Sequence, residues 1–428
     1  MKEKFIQSTL ILTIGGLLTK LLGMFIKIEI ARKIGSEGLG LYMLILPTFL
    51  LFINISQLGL PLALSKLVAE ETRNNKKLFF STLPILFIIH IILIIGIIFL
   101  SPFLSRNLLH NQDTYWSILA MALVIPFTTT SSIGRSYFLG KQKMLPPVLA
   151  NILEDIVRLL LIQFGISHFL TYGLKYAACY LVLANIISES TSTMLFFFFL
   201  PKQIKIQKQD IIPNKKNMRD ALHIGIPNTT SRLLGSIAFF LEPIILTHGL
   251  LKSEYSMSYI TKEYGILSGY VMPLILLPSF FSQAISQALL PILSKEYAKK
   301  EQQKVKKKLL TAILITLGIA IPITTLLILF PTFFLKTIYH TKEGVPYIKL
   351  LAPICIIEYL QAPLSSCLDA MGKTKDNLIA SLLGMSTRTI LLYLLSPLKI
   401  GFLCLLIAIS CNIIITTFYQ IHQIKKYL

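Results

Sequence analysis

The sequence predicts an all-α integral membrane protein of about twelve transmembrane helices, arranged as two parallel six-helix bundles. Three observations predict it. The 428 residues are 54% hydrophobic and only 14% charged, with a mean hydropathy of +0.70, where a soluble globular domain carries about 25% charged residues. Apolar runs of bilayer-spanning length, roughly 20 residues each, recur along the chain. The second half repeats landmarks of the first half in the same order. Such a composition cannot cover a normal wet surface, which excludes a soluble enzyme.

The spans read at 8–30, 39–64, 78–101, 114–138, 146–166, 176–200, 220–247, 264–292, 309–333, 345–368, 376–396 and 398–422. No connection between them is long enough for a soluble domain. The first span carries Lys20 and Lys27, lacks a small-residue cleavage site and runs straight on, unlike a signal peptide. The cysteines Cys179, Cys355, Cys367, Cys404 and Cys411 fall in or near spans with no CxxC or metal-like spacing, and read as buried small hydrophobes.

The charges are lopsided, with 41 Lys+Arg against 20 Asp+Glu, formally +21. In a soluble protein this suggests nucleic acid; in a membrane protein it records orientation. With the N-terminus inside, most of the cations fall on inner segments, including Arg135, Lys141 and Lys143, the 201–219 stretch and the run up to Lys308. Both termini are therefore expected in the cytoplasm. The run Lys304–Lys308 is expected on anionic lipid headgroups at about 1 kcal/mol per cation, and no nucleic-acid partner is expected.

The internal repeat sets the domain organisation. Thr19-Lys20-Leu21-Leu22-Gly23 returns as Ser231-Arg232-Leu233-Leu234-Gly235, an offset of 212. Ser65-Lys66 returns as Ser294-Lys295, and Gly140-Lys141-Gln142-Lys143 as Gly372-Lys373-Thr374-Lys375, offsets of 229 and 232. Six spans per repeat give both halves the same orientation. The expected organisation is an N-lobe over 1–200, a basic cytoplasmic linker over 201–219 and a C-lobe over 220–428, with a substrate site between the halves near the midplane.

Charges at the bilayer centre cost at least ~2.5–3.5 kcal/mol each on insertion scales, so they persist facing a bundle interior or a wet cavity. Lys20 and Lys27 lie nearly two turns apart on one helix face, with Gly16 and Gly23 on the same stripe. That face either lines a cleft or touches another helix, and Lys27 also reads as snorkelling outward. Arg232 is the repeat partner of Lys20. A cationic cavity suits an anionic headgroup, and the planar fork of Arg suits phosphate. Asn228, Thr229, Thr230 and Ser231 follow Pro227, a run that reads either as a broken helix lining the cavity or as interhelical glue.

Arg158 and Arg388 occupy equivalent places in spans five and eleven. Glu154, four residues before Arg158, favours an internal ion pair there. Arg388 has no such local acid, so a cavity role stands beside a structural one. Glu189, Glu242 and Glu358 are mid-span acids that either bind a coupling cation, Na+ or H+, or pair with a buried base. Asn54 and Gln283 match at an offset of 229 and read equally as cavity lining and helix glue. No P-loop, HExxH, GxSxG or Gly-rich dinucleotide motif is present, so neither an enzyme nor a cofactor is expected.

The stretch Leu18-Thr19-Lys20-Leu21-Leu22-Gly23, with Lys27, Ala31-Arg32, Gly35-Ser36-Glu37-Gly38-Leu39-Gly40-Leu41-Tyr42, Pro47-Thr48-Phe49, Gln57-Leu58-Gly59-Leu60-Pro61 and Ser65-Lys66-Leu67-Val68-Ala69-Glu70, resembles the stage V sporulation protein B family. That family belongs to the multidrug/oligosaccharidyl-lipid/polysaccharide (MOP) flippase superfamily, with lipid II flippases as cousins. The match is sharp over 8–80 and elsewhere rests on topology and the Gly-Lys-x-Lys turns. The resemblance implies a V-shaped pair of bundles moving a lipid-linked, pyrophosphate-bearing saccharide by alternating access. It places family basic positions at Lys20 and Lys27, where members typically carry Arg, and Arg232 is the candidate for the basic position of the second half. Many members carry two further C-terminal helices that form a groove for the lipid tail; twelve spans are read here. A cation-coupled drug or metabolite exporter of the same fold is the alternative, with Glu189 or Glu358 as its acid. A membrane glycosyltransferase is disfavoured by the short outer loops.

Overall fold

Lipid offers no water to satisfy backbone N–H and C=O groups, so an apolar run that enters it folds as helix. The computed structural model describes residues 2–70, 74–199 and 212–428, apart from the side chains of residues 2–10, 13 and 231, and no strand occurs among the described residues. The first four spans lie in α1 (Lys2–Gln57), α2 (Leu60–Ala69), α3 (Asn75–Phe103) and α4 (Tyr115–Gly140). They are followed by α5 (Leu145–Leu170), α6 (Leu174–Phe199) and α7 (Lys215–Lys252). Then come α8 (Met257–Gly265), a π-helical segment Ile266–Val271, α9 (Met272–Ile275), α10 (Leu277–Ala298), α11 (Gln302–Leu329) and α12 (Pro331–Tyr339). The chain closes with α13 (Val345–Glu358), α14 (Gln361–Ala370), α15 (Thr374–Leu395) and α16 (Leu403–Tyr427).

Among the described residues nine helices are long and apolar enough to cross a membrane, or ten if the bent pair Met257–Ile275 and Leu277–Ala298 is one span. The difference from twelve has two physical sources. The first two spans run together as α1, yet Gly35 within it has φ 65 and ψ −175, a conformation open to glycine, so two helices meet there. α5 carries Glu154, Asp155 and Arg158 at its middle, too many charges for an apolar span read alone.

Several expectations are corrected in detail. The second span is broken after Gln57, where Leu58 and Gly59 take φ 43 and φ 63 before Pro61 starts α2. The eighth span is bent by 48° between α9 and α10, at Leu276, with Pro273 and Pro278 on either side. The polar run after Pro227 is not broken: α7 is helical throughout, and Thr229 and Thr230 donate back to the carbonyls of Gly225 and Ile226 at 2.9 and 3.0 Å. Of the expected 201–219 linker, residues 200–211 lie outside the described residues, and Lys215 already begins α7.

The chain forms two compact units, Met1–Phe240 and Leu241–Leu428, whose boundary falls inside α7. The cause is packing. In the first unit Leu60, Leu64, Leu67 and Val68 of α2 form a core with Ile133, Tyr137 and Phe138 of α4 and Ala221 of α7, and Met218, Leu222 and Ile224 pack against it. α3 turns Phe87, Ile88, Ile92, Ile95 and Phe99 outward, as a lipid-facing helix does. The second unit has its own core of Leu289, Leu293, Leu309, Leu364, Leu368 and Ile424.

The repeat is visible in the turns, with a shifted register. After α4, Gln142 takes φ 56 and the Lys143 N–H donates to the Phe138 carbonyl at 3.0 Å. After α14, Gly372 takes φ 72 and the Lys373 N–H donates to the Leu368 carbonyl at 2.8 Å. The equivalent bonds lie 230 residues apart, the offset that also relates Arg158 to Arg388. The Gly-Lys-x-Lys match at 232 is thus two residues out of structural register.

In the first unit α7 crosses the α1–α2 break by direct backbone contact. A Cβ on Gly225 would lie 2.4 Å from the Leu58 carbonyl oxygen, and one on Gly59 2.3 Å from the Gly225 oxygen. A Cβ on Gly16 or Gly23 would meet nothing within 4 Å. Gly→Ala in a helix interior gains up to about 1 kcal/mol from propensity alone. Gly16→Ala and Gly23→Ala are therefore expected to leave thermal stability in detergent unchanged or raised, while Gly225→Ala loses roughly 1–3 kcal/mol through overpacking. Equal melting temperatures for Gly16→Ala and Gly225→Ala would contradict the backbone contact.

Candidate functional site

An arginine within a span is tolerated when an acid neutralises it or when it faces polar space. The structure sorts the span bases into these two groups. In the first unit Glu154 of α5 is held by two arginines, one on each carboxylate oxygen. Arg135 of α4 reaches Oε2 at 2.5 Å and Arg158 reaches Oε1 at 2.5 Å. Arg135 also pairs with Glu189 of α6 at 2.9 Å, and Arg158 approaches Asp155 at 3.8 Å. Ser131 accepts from Arg135 at 3.0 Å and shares a hydrogen bond with Ser192 at 3.1 Å. Glu154 and Glu189 are buried, so α4, α5 and α6 are joined by a desolvated ionic network.

The i,i+4 pair of Glu154 and Arg158 is present as the spacing predicts. Glu189 is engaged by a base. Arg135, counted from sequence among the inner-segment cations, is instead a member of the helical bundle. Its place inside the fourth span and the mid-span Glu189, which needs a base, were the signals for it.

In the second unit Arg388 of α15 pairs with Glu242 at 2.5 Å, and the Tyr264 hydroxyl donates to the other Glu242 oxygen at 3.3 Å. Arg388 therefore has an acid partner, supplied by α7 and out of reach of local sequence reasoning. Glu358, at the end of α13, keeps a buried Oε2 with no hydrogen-bond partner among the described residues.

The remaining candidates lie differently. Lys20 is half-buried, while Lys27 and Arg232 are exposed and form no ion pair among the described residues. A Cβ on Gly16 or Gly23 would meet nothing within 4 Å, so no neighbouring group packs against those two glycines. The Asn54 amide donates to Ser236 at 2.6 Å, one turn beyond Arg232, which sets α1 beside that part of α7. Asn228 is half-buried, Gln283 is exposed, and the Ser231 side chain lies outside the described residues. The positions 54 and 283, matched in sequence, thus differ in environment.

Glu154→Gln leaves Arg135 and Arg158 facing a neutral amide in a desolvated bundle. It is expected to cost about 3–5 kcal/mol, the scale for breaking a buried ion pair from one side. The exposed pair of Lys399 and Glu254 is the control, since Glu254→Gln is expected to leave stability unchanged. Thermal unfolding of the two variants in the same detergent decides it, and equal stability would refute the network's structural role.

Known proteins share both sequence and fold with this chain. The family model described as polysaccharide biosynthesis protein matches residues 5–297, and the MatE family model matches residues 257–394. Stage V sporulation protein B of Bacillus subtilis (strain 168) is 33% identical over 441 aligned positions, covering 100% of this chain and 85% of that protein. An inward-facing multidrug resistance MATE family transporter of the MOP superfamily superposes with a TM-score of 0.77 at 16% identity, over 95% of both chains. Lipid II flippase MurJ in an inward closed conformation superposes with a TM-score of 0.74 at 18% identity, over 97% of this chain and 87% of that one. The fold is therefore that of the MOP superfamily, and the chain belongs to the polysaccharide biosynthesis protein family, as a relative of stage V sporulation protein B.

Proposed function

We propose that this multi-pass membrane protein is a transporter and not an enzyme: a flippase that moves a lipid-linked, pyrophosphate-bearing saccharide from the inner to the outer leaflet by alternating access. One observation carries the reading. Arg135, Arg158 and Arg388 are each neutralised by an acid, whereas Lys27 and Arg232 are exposed bases in spans with no ion pair among the described residues. Bases kept in spans at a cost of at least ~2.5–3.5 kcal/mol each call for a polar or anionic occupant. The stripe of Lys20 and Lys27, open at Gly16 and Gly23, and Arg232 of α7 offer the pyrophosphate its counter-charges. Asn54, Asn228 and Ser231 are assigned to polar lining on the same helices, and Gln283 to its counterpart in the second half. Arg388 is assigned a secondary contact, reached only when Glu242 releases it. The likeness to stage V sporulation protein B and to MurJ supports the substrate class.

The same reading puts the termini in the cytoplasm of a bacterial cell, with 1–200 and 220–428 as the two lobes. It sets the exposed Lys306 and Lys307 against anionic lipid, while Lys304 and Lys308 are taken by Glu301 and Glu296. An inside-negative potential favours outward movement of the anionic head by ~2.3 kcal/mol per charge per 100 mV. The assay is flipping of defined lipid-linked saccharides by protein reconstituted in vesicles, with and without an imposed potential. Lys20→Ala and Arg232→Ala are each expected to reduce flipping to background with normal protein yield, and Arg232→Lys to retain part of it. Full activity in both alanine variants removes the cationic site, and no movement of any lipid-linked saccharide removes the flippase.

A second reading, a cation-coupled multidrug or metabolite exporter, is favoured by the unpartnered buried Glu358 Oε2. Glu189 suits that role less, because Arg135 already holds it. Under this reading Na+ or H+ binds at Glu358, and expression in a sensitised strain raises drug resistance that Glu358→Gln abolishes. Unchanged drug susceptibility on expression rejects it.

A further inference from the structure

The connection between α3 and α4 borders a cleft. It lies at the end of α4 opposite the Lys141–Lys143 turn. α3 passes into a π-helical turn, Leu104–Leu108, and a 3-10 turn, Gln112–Thr114, leads into α4. π-turns in helices are frequent at functional sites. The Asn111 side chain caps the Asp113 N–H at 3.0 Å, and the Cys179 thiol on the Trp116 carbonyl ties the start of α4 to α6. These elements enclose a cleft of about 280 Å³.

The lining of this cleft is chemically mixed. Arg106 from the π-turn and Lys175 from the start of α6 supply two cations. Asp113 supplies one carboxylate, and Gln112 an amide beside it. Tyr115 and Trp116, the single tryptophan of the chain, meet edge to face with ring centroids 5.2 Å apart. Neither Arg106, Lys175 nor Asp113 forms an ion pair among the described residues. Lys175 only lies 5.2 Å over the Tyr176 ring. An interfacial aromatic belt accounts for Trp116 and Tyr115; Arg106, Gln112 and Asp113 are exposed and Lys175 is half-buried, so the cleft adds two bases and one acid that a ligand can reach.

We infer that this cleft binds a phosphoethanolamine headgroup, that is, a phospholipid of the surrounding leaflet with a phosphate and a primary ammonium. Arg106 and Lys175 take the phosphate by charge-assisted hydrogen bonds. The Asp113 carboxylate and the Gln112 carbonyl accept from the ammonium, and the faces of Tyr115 and Trp116 favour the same cation. The size agrees, since the cleft falls just below the ~300–1,000 Å³ of pockets for larger ligands. The location agrees as well, because the lining residues fall at the ends of the apolar helical stretches 75–108 and 112–140, the depth at which headgroups are expected. A purely anionic headgroup leaves Asp113 facing a negative charge, and a choline headgroup cannot donate hydrogen bonds to it. This site is independent of the flippase reading and of the cargo.

The test uses the full-length protein, delipidated in detergent and resupplied with an equimolar mixture of phosphatidylethanolamine, phosphatidylglycerol and phosphatidylcholine. Retained lipid is counted by native mass spectrometry. Phosphatidylethanolamine is expected to be retained about tenfold over the other two, a free-energy difference of about 1.4 kcal/mol. Arg106→Ala combined with Lys175→Ala is expected to abolish that retention. Asp113→Asn is expected to remove the preference for phosphatidylethanolamine over phosphatidylglycerol while total phospholipid retention holds, a signature that mere loss of fold does not give. Displacement by soluble phosphoethanolamine identifies the headgroup alone as sufficient, whereas retention against it identifies the intact lipid, and both support the site. Equal retention of the three lipids by the wild type, or a preference untouched by Asp113→Asn, overturns it.

Discussion

The carboxylate of Glu154, gripped on one oxygen by Arg135 and on the other by Arg158, is the interaction on which the first unit depends. A low-dielectric interior makes an unmatched charge costly and a matched one strong. One carboxylate therefore fixes three helices, because Arg135 brings α4, its contact with Glu189 brings α6, and Arg158 closes the pair along α5. The same network explains why α5 reads poorly as an apolar span although it lies within a helical bundle. It also gives meaning to the bases outside it. With these arginines neutralised, exposed bases such as Lys27 and Arg232 are distinguished by forming no ion pair among the described residues, which is the ground for the role proposed for them.

Features fixed by composition and local pattern were legible in the sequence. Helix over strand, the spanning character and the Glu154–Arg158 pair all follow from hydropathy or from spacing within one helix, and each is present. Features that depend on which helix lies beside which were not legible. Glu242 as the partner of Arg388 comes from a helix more than a hundred residues away, and which acids Arg135 pairs with follows from Glu154 and Glu189 lying on two other helices. The Pro227 run failed as a helix-break signal for a local reason. Thr229 and Thr230 return their hydroxyls to carbonyls of their own helix, so the polar groups that suggested an opening instead serve the continuous helix.

Backbone contacts were hidden for a different reason. Glycine is common in membrane helices, so Gly225, Gly16 and Gly23 look alike in sequence. Their surroundings are opposite: Gly225 lets α7 press its backbone onto the Leu58–Gly59 break, whereas Gly16 and Gly23 leave room beside Lys20 and Lys27. A glycine in these helices therefore marks a close contact at one position and open space at another, and only the neighbouring helix decides which.

The repeat shows which constraint was kept as the halves diverged. The turns after α4 and α14 close with the same five-residue hydrogen bond, although the left-handed position is Gln142 in one and Gly372 in the other. That backbone register places Arg158 and Arg388 at equivalent points of α5 and α15. Each arginine is neutralised, but the acid comes from the same helix in the first unit and from α7 in the second. What is shared is the base at that depth and the need to match it; the source of the matching charge is free to differ. A local partner such as Glu154 stays within reach of Arg158 however neighbouring helices shift. Partners on another helix, Glu242 for Arg388 and Glu154 and Glu189 for Arg135, keep their hold only while the helices that carry them stay in place, so in both units the cross-helix pairs fix which helix lies beside which.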